Sequence, residues 1–94
     1  MLRILALGFL LAAAPAAAAH FRAEPVAKPA SAKLVLRDTM WLCDGASCSA
    51  ARSNSRPQIV CALLAREVGA LKSFTVAGTP LPADQLEKCN ARAQ

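Results

Sequence analysis

Residues 33–48, KLVLRDTMWLCDGASC, carry the reading on which the fold turns. From Lys33 to Cys43 two registers alternate: Leu34, Leu36, Asp38, Met40 and Leu42 on one, Val35, Arg37, Thr39, Trp41 and Cys43 on the other. A period of two predicts a strand over 33–43. Asp38 interrupts the first register, so the face bearing Val35, Thr39, Trp41 and Cys43 is as good a candidate for the core. Asp44, Gly45, Ala46 and Ser47 then form a turn-prone tetrapeptide, and 49–52 is expected to pair back as a second strand. That hairpin sets Cys43 opposite Cys48, with their Cβ atoms within disulfide reach. Trp41 is the only tryptophan. It is expected in the core beside this disulfide with its indole N–H bonded to a carbonyl, the alternative being an exposed platform for a ligand.

Toward the C-terminus, the loop RSNSRP over 52–57 leads into a helix, PQIVCALLAREVGA. Ser55 followed at three residues by Gln58 reads as a capping box, and Pro57 suits the first turn because its missing N–H is not needed there. Val60, Cys61, Leu64 and Val68 fall on one stripe, with Gln58, Ala62, Ala65 and Arg66 away from it. Gly69 ends the helix. Residues 71–77, LKSFTVA, read as a strand, and Gly78, Thr79 and Pro80 turn the chain into a second helix opened by Pro82. Asp84 and Glu87 complement that helix's positive end, while Leu86 and Cys89 dock it onto the first helix. The expected order is strand, strand, helix, strand, helix. This is an α+β domain over 34–92, built as a β-hairpin followed by helix, strand and helix.

Upstream the composition changes twice. Residues 20–33, HFRAEPVAKPASAK, hold two prolines and several alanines and are expected to be a flexible tether. Residues 1–19 contain one charge, Arg3, then an apolar run over 4–14, Pro15 and four alanines. That order is the signature of a cleavable export signal, with the cut expected after Ala19. The apolar run is well short of the ~20 residues a membrane-spanning helix needs, so no spanning segment is expected in the processed chain. Removing Arg3 lowers the formal charge from +5 to +4, spread evenly along the sequence. With no basic stripe and no interleaved aromatics, nucleic acid is not an expected partner.

All four cysteines, Cys43, Cys48, Cys61 and Cys89, lie downstream of the signal. An even number in a short exported chain argues for two disulfides. Three pairings exist, and the local sequence favours Cys43 with Cys48 and Cys61 with Cys89, since helix faces bring the second pair inward. The chain-entropy relation gives these loops roughly 2 and roughly 3.6 kcal/mol. Such staples matter to a domain this small, whose core alone barely offsets its conformational entropy. The cysteine spacing lacks the paired knuckles of zinc ribbons, and no C-x-x-C motif is present, so neither a metal nor a redox role is expected. No cofactor is expected.

The set Trp41, Cys43, Cys48, the run 52–57, Cys61, the triplet 67–69, Ser73, Phe74, Gly78 and the triplet 88–90 resembles a family of small exported alphaproteobacterial proteins of unknown function. The resemblance covers roughly 33–92. It supports the four-cysteine layout and implies no activity, cofactor or catalytic residue.

For chemistry, Arg52 and Arg56 are the candidate anion-binding residues, because they flank a helix N-terminus whose N–H groups can hold phosphate or carboxylate. The competing reading is an ordinary capped helix with two solvated arginines. His20 is the only histidine, which excludes a two-histidine copper site. Asp38, Asp44, Glu67, Asp84 and Glu87 are scattered, so no catalytic residue is assigned and the chain is not expected to be an enzyme. The expectation is a non-catalytic periplasmic or secreted binding or structural module acting on an envelope protein or an anionic envelope polymer. The alternatives are an enzyme inhibitor that presents the stapled hairpin, and a small hydrolase with an unrecognised site.

Overall fold

The computed structural model describes residues 19–93, so the expected signal over 1–19 lies, but for Ala19, outside the described residues. The elements are β1 (Phe21–Pro25), β2 (Lys33–Leu36), β3 (Thr39–Asp44), β4 (Ser47–Ala50), α1 (Pro57–Val68), β5 (Leu71–Val76), β6 (Thr79–Pro80) and α2 (Ala83–Asn90). The strands form one antiparallel sheet in the order β2-β3-β4-β1-β5-β6. The α+β class and the order hairpin, helix, strand, helix are as expected. Two strands, β1 and β6, are additional to that order, and the single strand expected over 33–43 is two, β2 and β3.

β1 corrects the reading of 20–33 as a tether. Phe21, Ala23 and Pro25 are buried and alternate with exposed Arg22 and Glu24, the signature of a half-buried strand. Its position is central. β1 pairs with β4 on one side and with β5 on the other, and so joins the two halves of the sheet. Phe21 from β1, Trp41 from β3 and Phe74 from β5 meet there, with ring centroids 5.8 to 6.2 Å apart. Aromatic clusters of this geometry contribute beyond their buried area.

The second correction concerns 33–43, which is a hairpin and not one strand. Leu36 pairs with Thr39, leaving Arg37 and Asp38 as a two-residue turn, with Arg37 at a φ of 60°. The fold-back reverses the facing of the alternating residues. Leu34 and Leu36 therefore pack against the core with Thr39, Trp41 and Cys43, while Val35 lies with Met40 and Leu42 on the opposite face.

The next turn carries Gly45 at a φ of 65° and sets Cys43 against Cys48 with Cα atoms 4.0 Å apart. Cys43 N–H donates to the Ala32 carbonyl on the far side, so Cys43 and Cys48 form a non-hydrogen-bonded pair, the closer of the two pair types. Both disulfides are those expected; Cys61–Cys89 joins α1 to α2.

α1 buries Val60, Cys61, Leu64 and Ala65 against the aromatic face of the sheet. Ala65 thus belongs to the buried stripe, four residues after Cys61, and not to the far side of the helix as its small side chain suggests. Gly69, at a φ of 94°, ends the helix and donates its N–H to the Ala65 carbonyl. The expected capping box is absent. Arg56 is the N-cap residue with extended backbone and no side-chain cap, and its carbonyl accepts from Ile59 and Val60.

In β5 the register slips opposite Glu24 and Pro25, leaving Lys72 as the extra residue of a bulge. The bulge lets Leu71 and Phe74, three residues apart, both face the core. Asn90, at the end of α2, fastens the helix to this strand. Its Oδ1 accepts from the Leu71 N–H at 2.8 Å, and its Nδ2 donates to the Leu71 carbonyl at 2.9 Å.

Candidate functional site

The loop after β4 is organised by an acid from another hairpin. Asp38 Oδ2 accepts from the Asn54 N–H at 3.0 Å, and Oδ1 accepts from the Ser53 hydroxyl at 2.9 Å. The Ser55 and Thr39 hydroxyls reach Oδ1 at 3.4 Å, and the Ser53 hydroxyl in turn accepts from the Ser55 N–H at 3.0 Å. These donors stabilise the charged form, the Asn54 N–H most and the Ser53 hydroxyl next, and hold the Asp38 carboxyl below its ordinary range.

Arg52 and Arg56, the candidate anion-binding residues, flank this loop and are both exposed. The anion within the loop is the chain's own. Asp38 takes the Asn54 N–H and the Ser53 hydroxyl, and the Ile59 and Val60 N–H groups at the start of α1 are spent on the Arg56 carbonyl. Sequence reasoning took Asp38 for a break in a strand and missed its role. The signal available was its place in a turn, since a carboxylate there is free to accept from serine and asparagine backbone.

A different feature appears on the other side of the sheet. α1 and α2 pack on the aromatic face, and among the described residues no helix lies on the opposite one. There Lys33, Leu42, Ser49, Arg22 and Thr75 form one cross-strand row, and Asp44, Ser47, Glu24 and Ser73 form the next. The Ser73 hydroxyl donates to Glu24 at 3.1 Å. At the β2–β3 end the face turns apolar: Val35 is 66 % exposed, Leu42 54 % and Met40 52 %. This patch went unread because a single strand over 33–43 separates Val35 from Met40 and Leu42. Only the turn at Arg37 and Asp38 unites them.

Other features carry less. A groove of about 230 Å³ between the helices is lined by Ile59, Ala62, Gln85, Lys88 and Arg92, and the Gln58 carboxamide crosses to Gln85 at 3.2 Å. His20 stacks edge-on against Phe21 with centroids 4.7 Å apart. Asp44, Glu67, Asp84 and Glu87 are all exposed, and among the described residues no group of three or more His, Cys, Asp and Glu comes together to hold a metal ion. The Trp41 indole corrects a further expectation: its Nε1–H is buried and has no hydrogen-bond partner among the described residues.

Among the described residues no helix is long and apolar enough to cross a membrane. The two disulfides point to an oxidising compartment. No curated protein and no solved structure matches the chain. A family of unknown function, DUF8200, matches residues 5–91, nearly the whole length and both disulfides, and the chain belongs to that family.

Proposed function

We propose that this is a non-catalytic module of the cell envelope that binds another envelope protein through the helix-free face of its sheet. One observation carries the reading: Val35, Met40 and Leu42 stand together, each more than half exposed, on a face that nothing in the described domain covers. Contiguous apolar surface of this kind marks interaction sites. Charge selects the class of partner. Arg22, Lys33 and, at the bulge, Lys72 share the face with Glu24 and Asp44, three positive charges against two negative and close to a balance, although the whole chain is net positive. An anionic polymer gains little from so balanced a surface, whereas a protein surface with an apolar centre and mixed charges fits it. The two disulfides support residence outside the reducing cytoplasm.

A photo-crosslinking residue at Leu42, on this face, and another at Glu67, on the exposed side of α1, test the reading in producing cells. The expected result is a discrete protein adduct from position 42 alone, formed equally well when salt is raised before irradiation because apolar contact dominates, and lost when Met40 is changed to Lys. No adduct from position 42, equal adducts from both positions, or an adduct that fails to form when salt is raised before irradiation would reject it. A non-protein adduct whose formation is abolished by salt would point to an anionic polymer.

A further inference from the structure

His20 and Phe21 determine what a processing protease meets at the bond between Ala19 and His20. The His20 N–H donates to the Ala50 carbonyl at 2.9 Å, and the His20 carbonyl accepts from the Ala77 N–H at 2.7 Å. The residue just after the bond is thus held by both neighbouring chain segments. Phe21, one residue further, is 2 % exposed and packed against Trp41 and Phe74. A protease takes its substrate in an extended form and pairs with backbone groups on both sides of the scissile bond. Those groups must therefore be free, and susceptibility follows from the burial and hydrogen bonding of the local backbone. Here they are free only if β1 leaves the sheet. Without β1 the sheet divides into β2-β3-β4 and β5-β6, and the aromatic cluster loses a member.

Resting on the export reading, we infer that removal of the leader and completion of the domain exclude one another in one order: the cut must come before β1 enters the sheet. Hydrolysis adds water across the Ala19–His20 amide, leaving a carboxylate on Ala19 and an amine on His20. That amine is the same nitrogen that meets the Ala50 carbonyl, so the new chain end becomes the start of the central strand. A precursor that folds and oxidises first shields its own processing site. A cut one residue earlier, after Ala18, meets the same obstruction, because His20 and Phe21 still follow it closely.

The test uses the full 94-residue chain, purified in detergent and offered to a bacterial signal peptidase in two forms, folded with both disulfides formed and reduced and unfolded. Cleavage of the folded form is expected to be roughly 100-fold slower or more, since it tracks the population with β1 released. A second chain with about six Gly and Ser residues inserted between Ala19 and His20 gains up to ~20 Å of reach. Its folded form should be cut as fast as its reduced form. Equal rates for the folded and reduced wild-type chains would overturn the inference. If neither form of either chain is cut, the export reading fails, and the inference with it.

Discussion

The carboxamide of Asn90 pairs with the backbone of Leu71 as a neighbouring strand would, accepting its N–H and donating to its carbonyl. Leu71 lies beyond the reach of the two-residue β6, which pairs only with Thr75 and Val76, so among the described residues no strand serves this edge of β5. Replacing Asn90 with Ala leaves two partly buried backbone groups without partners and is expected to cost about 2 kcal/mol. Urea denaturation gives the difference, and an unchanged midpoint would show that water serves Leu71 equally well.

The two disulfides should differ in worth. Cys61 and Cys89 are 28 residues apart and tie two helices together, whereas Cys43 and Cys48 are 5 apart and already held opposite by hairpin pairing. Chain entropy gives roughly 3.6 kcal/mol to the first and roughly 2 kcal/mol to the second. Paired Cys→Ala variants measured by denaturation should follow that order. A larger loss from the hairpin pair would contradict it.

Asp38 makes the loop over 52–57 sensitive to acid. Its carboxyl is held below the ordinary 3.8 in the folded chain, so its contribution is present above that value and lost as pH falls through the lowered one. Amide exchange at Asn54, corrected for intrinsic rates, should lose protection over that acid window. In Asp38→Asn the acid-dependent change should vanish. Protection at Asn54 that is flat with pH in the wild-type chain would rule out the carboxylate as its anchor.

The turn between β5 and β6 has an improvable residue. Ala77 and Gly78 both have positive φ, 51° and 85°, and Ala has no local means to offset the left-handed conformation. Ala77→Asn builds the Asn-Gly pair that such hairpin turns favour and should stabilise by about 1 kcal/mol. For a domain of this size that is a rise of roughly 4–8 °C in Tm. A fall in Tm would show that Ala77 makes contacts that outweigh its backbone strain.

The features legible in the sequence were those decided by near neighbours. The turn at 44–47 with the cysteine pair it closes, and the stripe on α1, follow from residues close together or on one helix face, while the Cys61–Cys89 pairing follows from the inward face of each of two helices. β1 was hidden because its partners, β4 and β5, come much later in the chain, and because Ala23, Pro25 and the residues after them have the composition of a linker. The turn at Arg37 and Asp38 lacks the glycine or asparagine that announces a positive φ, so two strands read as one. With that turn went both the role of Asp38 and the apolar patch of Val35, Met40 and Leu42. The stripe on α1 was read one residue too narrow, because alanine at 65 gives no hydrophobic signal of its own weight.

Trp41 turns the core into a reporter of its own assembly. It is the sole tryptophan, there is no tyrosine, and its indole is sealed among Phe21, Phe74 and aliphatic side chains with the N–H unbonded. An indole so buried emits toward the blue end of its fluorescence, because little solvent can relax around its excited state. Since Phe21 supplies one wall of that enclosure, the emission colour registers whether the N-terminal strand has arrived, with no label added.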